Sequence, residues 1–417
     1  MHRSFTGLAA PDPDWRLCDI IIAWDELEKS IDGYPPVDSN LVGHRADFTF
    51  SYRAEVIDAF SGLRKEALSL GNTDMVSRID QFLLYIDCAE HPEKHPFYEY
   101  FPAMTGLRLN SFAEARLAQA KEKLTAHLET IRIPFEGVED ALYGVEPGMD
   151  AEESGTHIRT RIGKELEDFK AVTGLDVALD YDVKVIEDAA PWTGWMSGDA
   201  DGKFLLRFNK THIPALSPSY LMYVGRHELL GHAVMETLMR QRVLSGELPR
   251  SCGIITMADN CIVQAEALAE TADRLVLSHE KPVETAWRLL TDYKRLVANN
   301  AFVVLARQGM DEAREYYTEH VPRCRETGYM RLFNGLLSAN PQPRMYIPVY
   351  ACVRAAMGEA FDVYGREAFG AMYGQLYRNF GGFKIGVNDA LGLDMALRAL
   401  GRTQDTKPEA KLRVGFL

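Results

Sequence analysis

One stretch of this chain demands a helix and forbids a regular one. From Ser217-Pro218, an N-cap followed by proline at the first helical position, apolar residues recur at helical spacing to about residue 245. Its centre reads Arg226-His227-Glu228-Leu229-Leu230-Gly231-His232, two histidines five residues apart with a glutamate after the first. On an ideal α-helix five residues turn through about 500°, which leaves the second imidazole about 140° from the first. Both rings share a face only if the helix widens locally, as in a π-bulge, and Gly231 is the expected place for the backbone to absorb the distortion. A chance HExxxH match is expected only about 0.02 times in a chain of this composition. Leu229, Leu230, Ala233 and Val234 surround the polar trio with apolar side chains, and buried His and Glu require partners.

Neutral imidazoles bind Zn²⁺ readily, and an adjacent carboxylate is placed to deprotonate a metal-bound water. A third ligand is expected on a nearby helix. Residues 264–273 read QAEALAETAD, in which Glu266 and Glu270 are four apart on one face and Asp273 lies a turn further on, among small and apolar residues. The economical assignment makes Glu266 the third ligand and Glu270 the acceptor for a ligand histidine's other N–H; a solvated acidic edge is the alternative. Two histidines and a carboxylate also serve non-haem iron oxygenases, so the ligand set alone leaves iron redox chemistry open, although the His-Glu dipeptide favours zinc.

HELLGH at 227–232 followed by AEALAE at 265–270 resembles the two-part signature of dipeptidyl peptidase III, a gluzincin-type zinc metallopeptidase family. The resemblance implies His227 and His232 as ligands, Glu228 as general base, Glu266 as third ligand and Glu270 as its outer support. The second motif lacks the family's preceding acid, occupied here by Ala265, and the likeness covers about 45 residues of a much shorter chain. The helical surroundings also look like helical zinc carboxypeptidases and oligopeptidases. In those enzymes a tyrosine from a segment similar to Pro341–Tyr350 helps hold the oxyanion, which points to Tyr346 first and Tyr350 second. His320 is a further candidate donor, and Arg207, on an expected edge strand, a candidate for orienting substrate.

The remaining chain reads as mainly α. Helices are expected at Trp15–Ile31, near 50–70 and 74–88, at Ser111–Ile131 with a Ser111/Glu114 capping box, at Asp150–Thr173, and across about 256–279, 283–309, 311–321, 344–364, 366–378 and 387–400. Asp176–Glu187 and Lys203–Phe208 read as strands, with a turn-rich Gly194–Gly202 between them. A seam near Pro134–Pro147 divides an N-terminal helical region, 1–145, from a catalytic region, 146–417, in one intimately packed unit. The net charge of −14 disfavours nucleic acid and anionic membranes as partners. No apolar run approaches a membrane span, no signal-type segment opens the chain, and six scattered cysteines form no CxxC pair, so a cytoplasmic protein with reduced thiols is expected. The expected activity is hydrolysis of a peptide bond by one Zn²⁺ per chain. The alternatives are a biosynthetic or catabolic hydrolase of a small non-peptide amide and a non-catalytic metal-binding module.

Overall fold

A computed structural model of the chain describes residues 12–188 and 192–379, and it is mainly helical, with two small sheets. The first part comprises α1 (Pro13–Ser30), β1 (Val37–Asn40), α2 (Arg53–Ser69), α3 (Thr73–Glu90), α4 (Phe97–Thr105), α5 (Glu114–Thr130) and α6 (Val138–Gly144). There follow α7 (Ala151–Thr173), β2 (Asp180–Ile186), β3 (Gly194–Gly198), β4 (Lys203–Asn209), α8 (Pro218–Gly225), a π-helical segment at Arg226–Ala233 and α9 (Val234–Leu244). The chain continues through β5 (Ile254–Thr256), α10 (Cys261–Ala269), a 3₁₀ stretch at Ala272–His279, α11 (Pro282–Arg307), α12 (Met310–His320), α13 (Glu326–Leu337) and α14 (Pro341–Asn379). The helix expected at 387–400 lies outside the described residues.

Local chemistry explains most of these boundaries. Asp150 and Glu153 form a capping box at the start of α7, and Gly174 ends that helix at φ 66°. Ser217 caps α8, with Pro218 in its first turn. Gly365, at φ 72°, breaks α14 between its two halves, where the sequence places the end of one helix and the start of the next.

Elsewhere tertiary bonds override the local signal. The Ser111/Glu114 box does not form, and α5 starts at Glu114 without a side-chain cap. Asn300 of α11 instead accepts from the Phe112 N–H at 2.7 Å and donates to its carbonyl at 3.0 Å, holding that segment extended. The long helix expected across 256–279 is three elements. Asp259 gathers Thr256 Oγ1, the Cys261 N–H and Arg78 Nε into a turn before α10, and the chain after α10 tightens into the 3₁₀ stretch. The turn-rich 194–202 segment contains β3. Its glycines permit close approach to the next layer, since a Cβ on Gly194 would lie 2.6 Å from Val224 and one on Gly198 2.7 Å from Glu236 Oε2. β4 is the centre of the sheet, parallel to β2 and antiparallel to β3, so β3 and not the Arg207 strand is the edge on that side.

The core runs through both parts of the chain. β1 pairs with β5, Arg78 of α3 bonds Asp259 and the carbonyls of Ser251 and Ile254, and Arg344 of α14 reaches the Pro92 and His95 carbonyls. α10 is apolar on nearly every side, as expected of a helix buried at the centre. Arg226, 1% exposed, anchors the start of the π segment to α7 and α11. It is bidentate on Glu165 (2.8 and 2.7 Å) and bonds Glu284 at 2.6 Å. Removing one member of such a group strands buried charge. Arg226→Met is therefore expected to destabilise the fold by about 3–5 kcal/mol, read by urea unfolding. Arg161 of α7 also donates to Glu165 at 3.1 Å and to Glu284 at 2.9 Å, and a loss below about 1 kcal/mol would show that Arg161 alone satisfies both glutamates.

Candidate metal centre

The π segment resolves the spacing problem at its source. A backbone hydrogen-bonded i→i+5 places each residue over the one five before it, and the Val234 N–H reaches back to the Leu229 carbonyl. The His227 and His232 rings consequently lie with centroids 5.0 Å apart on one face. Gly231 has a different role from the one its sequence context implies. Its backbone is not left-handed; what it supplies is proximity, because a Cβ there would lie 2.4 Å from Ala269 Cα. The π segment and α10 thus touch backbone to backbone, and this contact brings the third ligand within reach. Tyr377 of α14 supports the widened turn by donating to the Leu230 carbonyl at 2.6 Å.

Glu266 projects from α10 between the two rings, with Oε2 3.5 Å from His227 Nε2 and Oε1 3.3 Å from His232 Nε2. These three side chains are the set of metal-ligating groups whose donor atoms converge among the described residues, all within 4.8 Å of one another. Glu266 is fully buried, and its Oε2 has no hydrogen-bond partner. A carboxylate whose two oxygens each face an imidazole nitrogen, one of them without a hydrogen-bond partner, fits a divalent cation with nitrogen and oxygen ligands. Glu270, one turn on, directs Oε1 to 3.7 Å from His227 Nδ1. It is fixed from behind by Arg295, whose Nη2 donates to Oε1 at 2.8 Å, and by the nearby Arg354. Asp273 does not join the ligands; Arg354 holds it at 3.0 Å.

Glu228 stands beside the ligands, its carboxylate 4.0 Å from His227 Nε2 and accepting from the Met196 N–H of β3. Burial raises its pKa to about 8, with the positive charge of His232 opposing the rise. Burial drives His227 down to about 3, so it is neutral. Burial also lowers His232, but the Glu266 charge and hydrogen bond outweigh it and lift the net value to about 10. Glu266 is pushed up by burial and pulled down further by both histidines and Tyr346.

Both candidate tyrosines reach the centre. Tyr346 donates its hydroxyl to Glu266 Oε1 and packs on Trp192, with ring centroids 5.7 Å apart. The Tyr350 ring lies 6.2 Å from that of His227 and carries the Arg295 guanidinium on its face at 4.4 Å. Burial raises both phenols well above their ordinary range, so they remain O–H donors. His320 is not brought to the cluster. It ends α12, stacked on Tyr316 and 3.5 Å from Glu114, where a helix-terminal histidine finds local partners. Arg207 is central in its sheet and donates to Ser197 Oγ at 2.8 Å. Reading the sequence alone misses Asp38, Trp192, Glu236, Arg295 and Arg354. Only Glu236 carries a local signal, an acid one turn after His232 in an apolar helix.

No protein-family model matches the chain, and no curated protein matches it. Among solved structures, a protein of Colwellia psychrerythraea provisionally assigned as a lipoprotein is similar in fold, with TM-score 0.55 and 15% identity over 85% of this chain. The match covers 64% of that protein, so this chain spans less than two thirds of its length. No helix among the described residues is long and apolar enough to cross a membrane.

Two outcomes follow from this geometry. Zinc requires both imidazoles neutral, and His232 is protonated at neutral pH. Zinc binding to the metal-free protein at pH 7 is therefore expected to release at least one proton, read by calorimetry in buffers of differing ionisation enthalpy. Zero release or proton uptake would contradict the His232–Glu266 pairing. Gly231→Ala forces the π segment away from α10, and is expected to cost about 1–3 kcal/mol of stability and to weaken zinc binding at least tenfold. Unchanged affinity in a zinc competition titration would contradict the proximity role.

Proposed function

We infer that this protein is a zinc-dependent hydrolase of a peptide bond, a metallopeptidase of the gluzincin type. The observation that carries the reading is the convergence of His227, His232 and Glu266 across a π-helical turn, with Glu228 beside them and held by β3. One Zn²⁺ per chain would be held by those three side chains. When bound, it supplies Lewis acidity that makes a coordinated water a nucleophile at neutral pH and polarises the scissile carbonyl.

The chain's own groups supply the rest. Glu228, as a carboxylate, takes the proton of the attacking water and passes it to the departing amine. Tyr346 and Tyr350 keep their protons and donate hydrogen bonds to the oxygen that becomes negative in the transition state. Glu270, clamped by Arg295, fixes the orientation of the His227 ring. The edge of β3, whose Met196 N–H already reaches Glu228, offers backbone groups along which an extended substrate lies.

The reading is tested by separating metal binding from turnover. Glu228→Gln is expected to keep one zinc per chain and to lose hydrolysis of a peptide library by at least about a thousandfold, while His227→Ala, His232→Ala and Glu266→Ala each lose the zinc. Tyr346→Phe is expected to retain zinc and lose roughly a hundredfold in kcat. Full turnover by Glu228→Gln, or iron at full occupancy with oxygen-dependent turnover, would overturn the reading. Metal analysis and mass-spectrometric product mapping provide the readouts.

A further inference from the structure

The two arginines that fix Glu270 also line an open cleft of about 610 Å³, and neither the three metal-ligating side chains nor Glu228 reaches it. Four elements bring six cations to its lining: Arg116 and Lys123 of α5, Arg274 of the 3₁₀ stretch, Arg288 and Arg295 of α11, and Arg354 of α14. In a chain of net charge −14 this is a local reversal of sign.

Ion pairing within the fold uses only part of these guanidiniums. The buried acids Glu270, Asp273 and Glu280, with side chains at most 6% exposed, do not line the cleft. Arg288 gives Glu280 its Nε alone, at 2.9 and 3.1 Å, so both its Nη groups have no acceptor among the described residues. Arg295 turns Nε and Nη2 to Glu270 and keeps Nη1 without an acceptor there. Arg274 turns Nη2 to Asp292, and Arg116 turns Nη2 to the Ala355 carbonyl at 2.9 Å. The Arg288 and Arg295 side chains are 14% and 23% exposed, so an arriving ligand can reach them. Three acids share the lining. Asp292 is already divided between Arg274 and Arg354. Glu359 and Asp362 lie 3.5 and 3.8 Å from Arg116 and Lys123 in loose, solvent-screened pairs that a stronger anion displaces.

We propose that this cleft binds a small organic phosphate, whose phosphomonoester group meets the unengaged N–H groups of Arg288, Arg295, Arg274 and Arg116. Guanidinium forks pair with phosphate oxygens in short, charge-assisted hydrogen bonds. Donors arriving from several elements suit a tetrahedral group with three terminal oxygens better than a flat carboxylate with two. A cleft lined mainly by one sign of charge also focuses the field on its ligand. The volume is that of a site for a small organic molecule, and Ala120, Leu289 and Leu296 offer the organic remainder an apolar wall.

The test is calorimetric titration of the full-length protein as purified, in about 0.15 M sodium chloride to screen diffuse attraction. The probes are ribose 5-phosphate, ribose and succinate. Ribose 5-phosphate is expected to bind at least about tenfold more tightly than either of the others. Arg288→Lys keeps a positive charge near Glu280 and removes the Nη fork, while the pair Arg116→Gln and Lys123→Gln alters only the partly exposed rim. Each variant is expected to weaken ribose 5-phosphate at least about fivefold, and the rim pair decides alone if Arg288→Lys fails to fold. Equal affinity for ribose 5-phosphate and succinate would overturn the phosphate assignment. Equal affinity for ribose 5-phosphate and ribose would overturn the cleft as a binding site. So would a preference that survives every folded variant, the result expected if phosphate merely joined a metal at His227.

Discussion

The backbone contact between Gly231 and Ala269 is the constraint on which the centre depends. An HExxxH helix of regular pitch points its histidines apart, and the i→i+5 turn that reunites them interrupts the regular hydrogen-bond ladder. Neighbouring elements make that turn tolerable. Arg226 pins its start between two buried glutamates, Tyr377 donates to the Leu230 carbonyl in its middle, and the bare Gly231 Cα lets α10 close against it. Tyr373, one turn before Tyr377, likewise serves the Leu268 carbonyl near the end of α10 at 2.8 Å. The second half of α14 therefore braces both elements that carry the His227, His232 and Glu266 cluster.

Electrostatics divides the site into two sides. Behind His227, the acids Glu270, Asp273 and Asp292 alternate with Arg295, Arg354 and Arg274 in a network in which each charge meets an opposite one. Such a network costs desolvation and returns positional rigidity to the Glu270 carboxylate beside His227. In front, towards β1 and β3, Asp38, Glu228 and Glu236 lie close enough to raise one another's pKa, against the positive charge of His232.

Much of this was legible in the sequence because it is written at short range. The five-residue spacing called for a widened helix, the four-residue spacing of Glu266 and Glu270 put them on one face, and Pro341–Tyr350 placed two tyrosines at the start of a late helix. What was illegible is written at long range. Ser111 and Glu114 form a good local cap that Asn300, far along the chain, defeats. Asp38 sits in a polar stretch with no motif, and only its bulged pairing with a strand more than two hundred residues away brings it to the cavity it shares with His232 and Glu266. The glycines of β3 look like turn residues until the approach of Val224 and Glu236 gives them another reason. Gly231 lies in the widened turn where the sequence places the distortion, but its small size, which admits Ala269, is a tertiary property the sequence does not show.

The central claim is that a π-helical turn creates the ligand set. Diffraction from zinc-loaded crystals, with anomalous data at the zinc edge, tests it most directly. The account predicts one zinc bound by His227, His232 and Glu266, with imidazole nitrogens at about 2.0–2.1 Å and a fourth position free of protein ligands, and with i→i+5 hydrogen bonds retained across residues 226–233. A regular α-helix through that stretch with His227 and His232 pointing apart, or a zinc ion bound elsewhere, would contradict it.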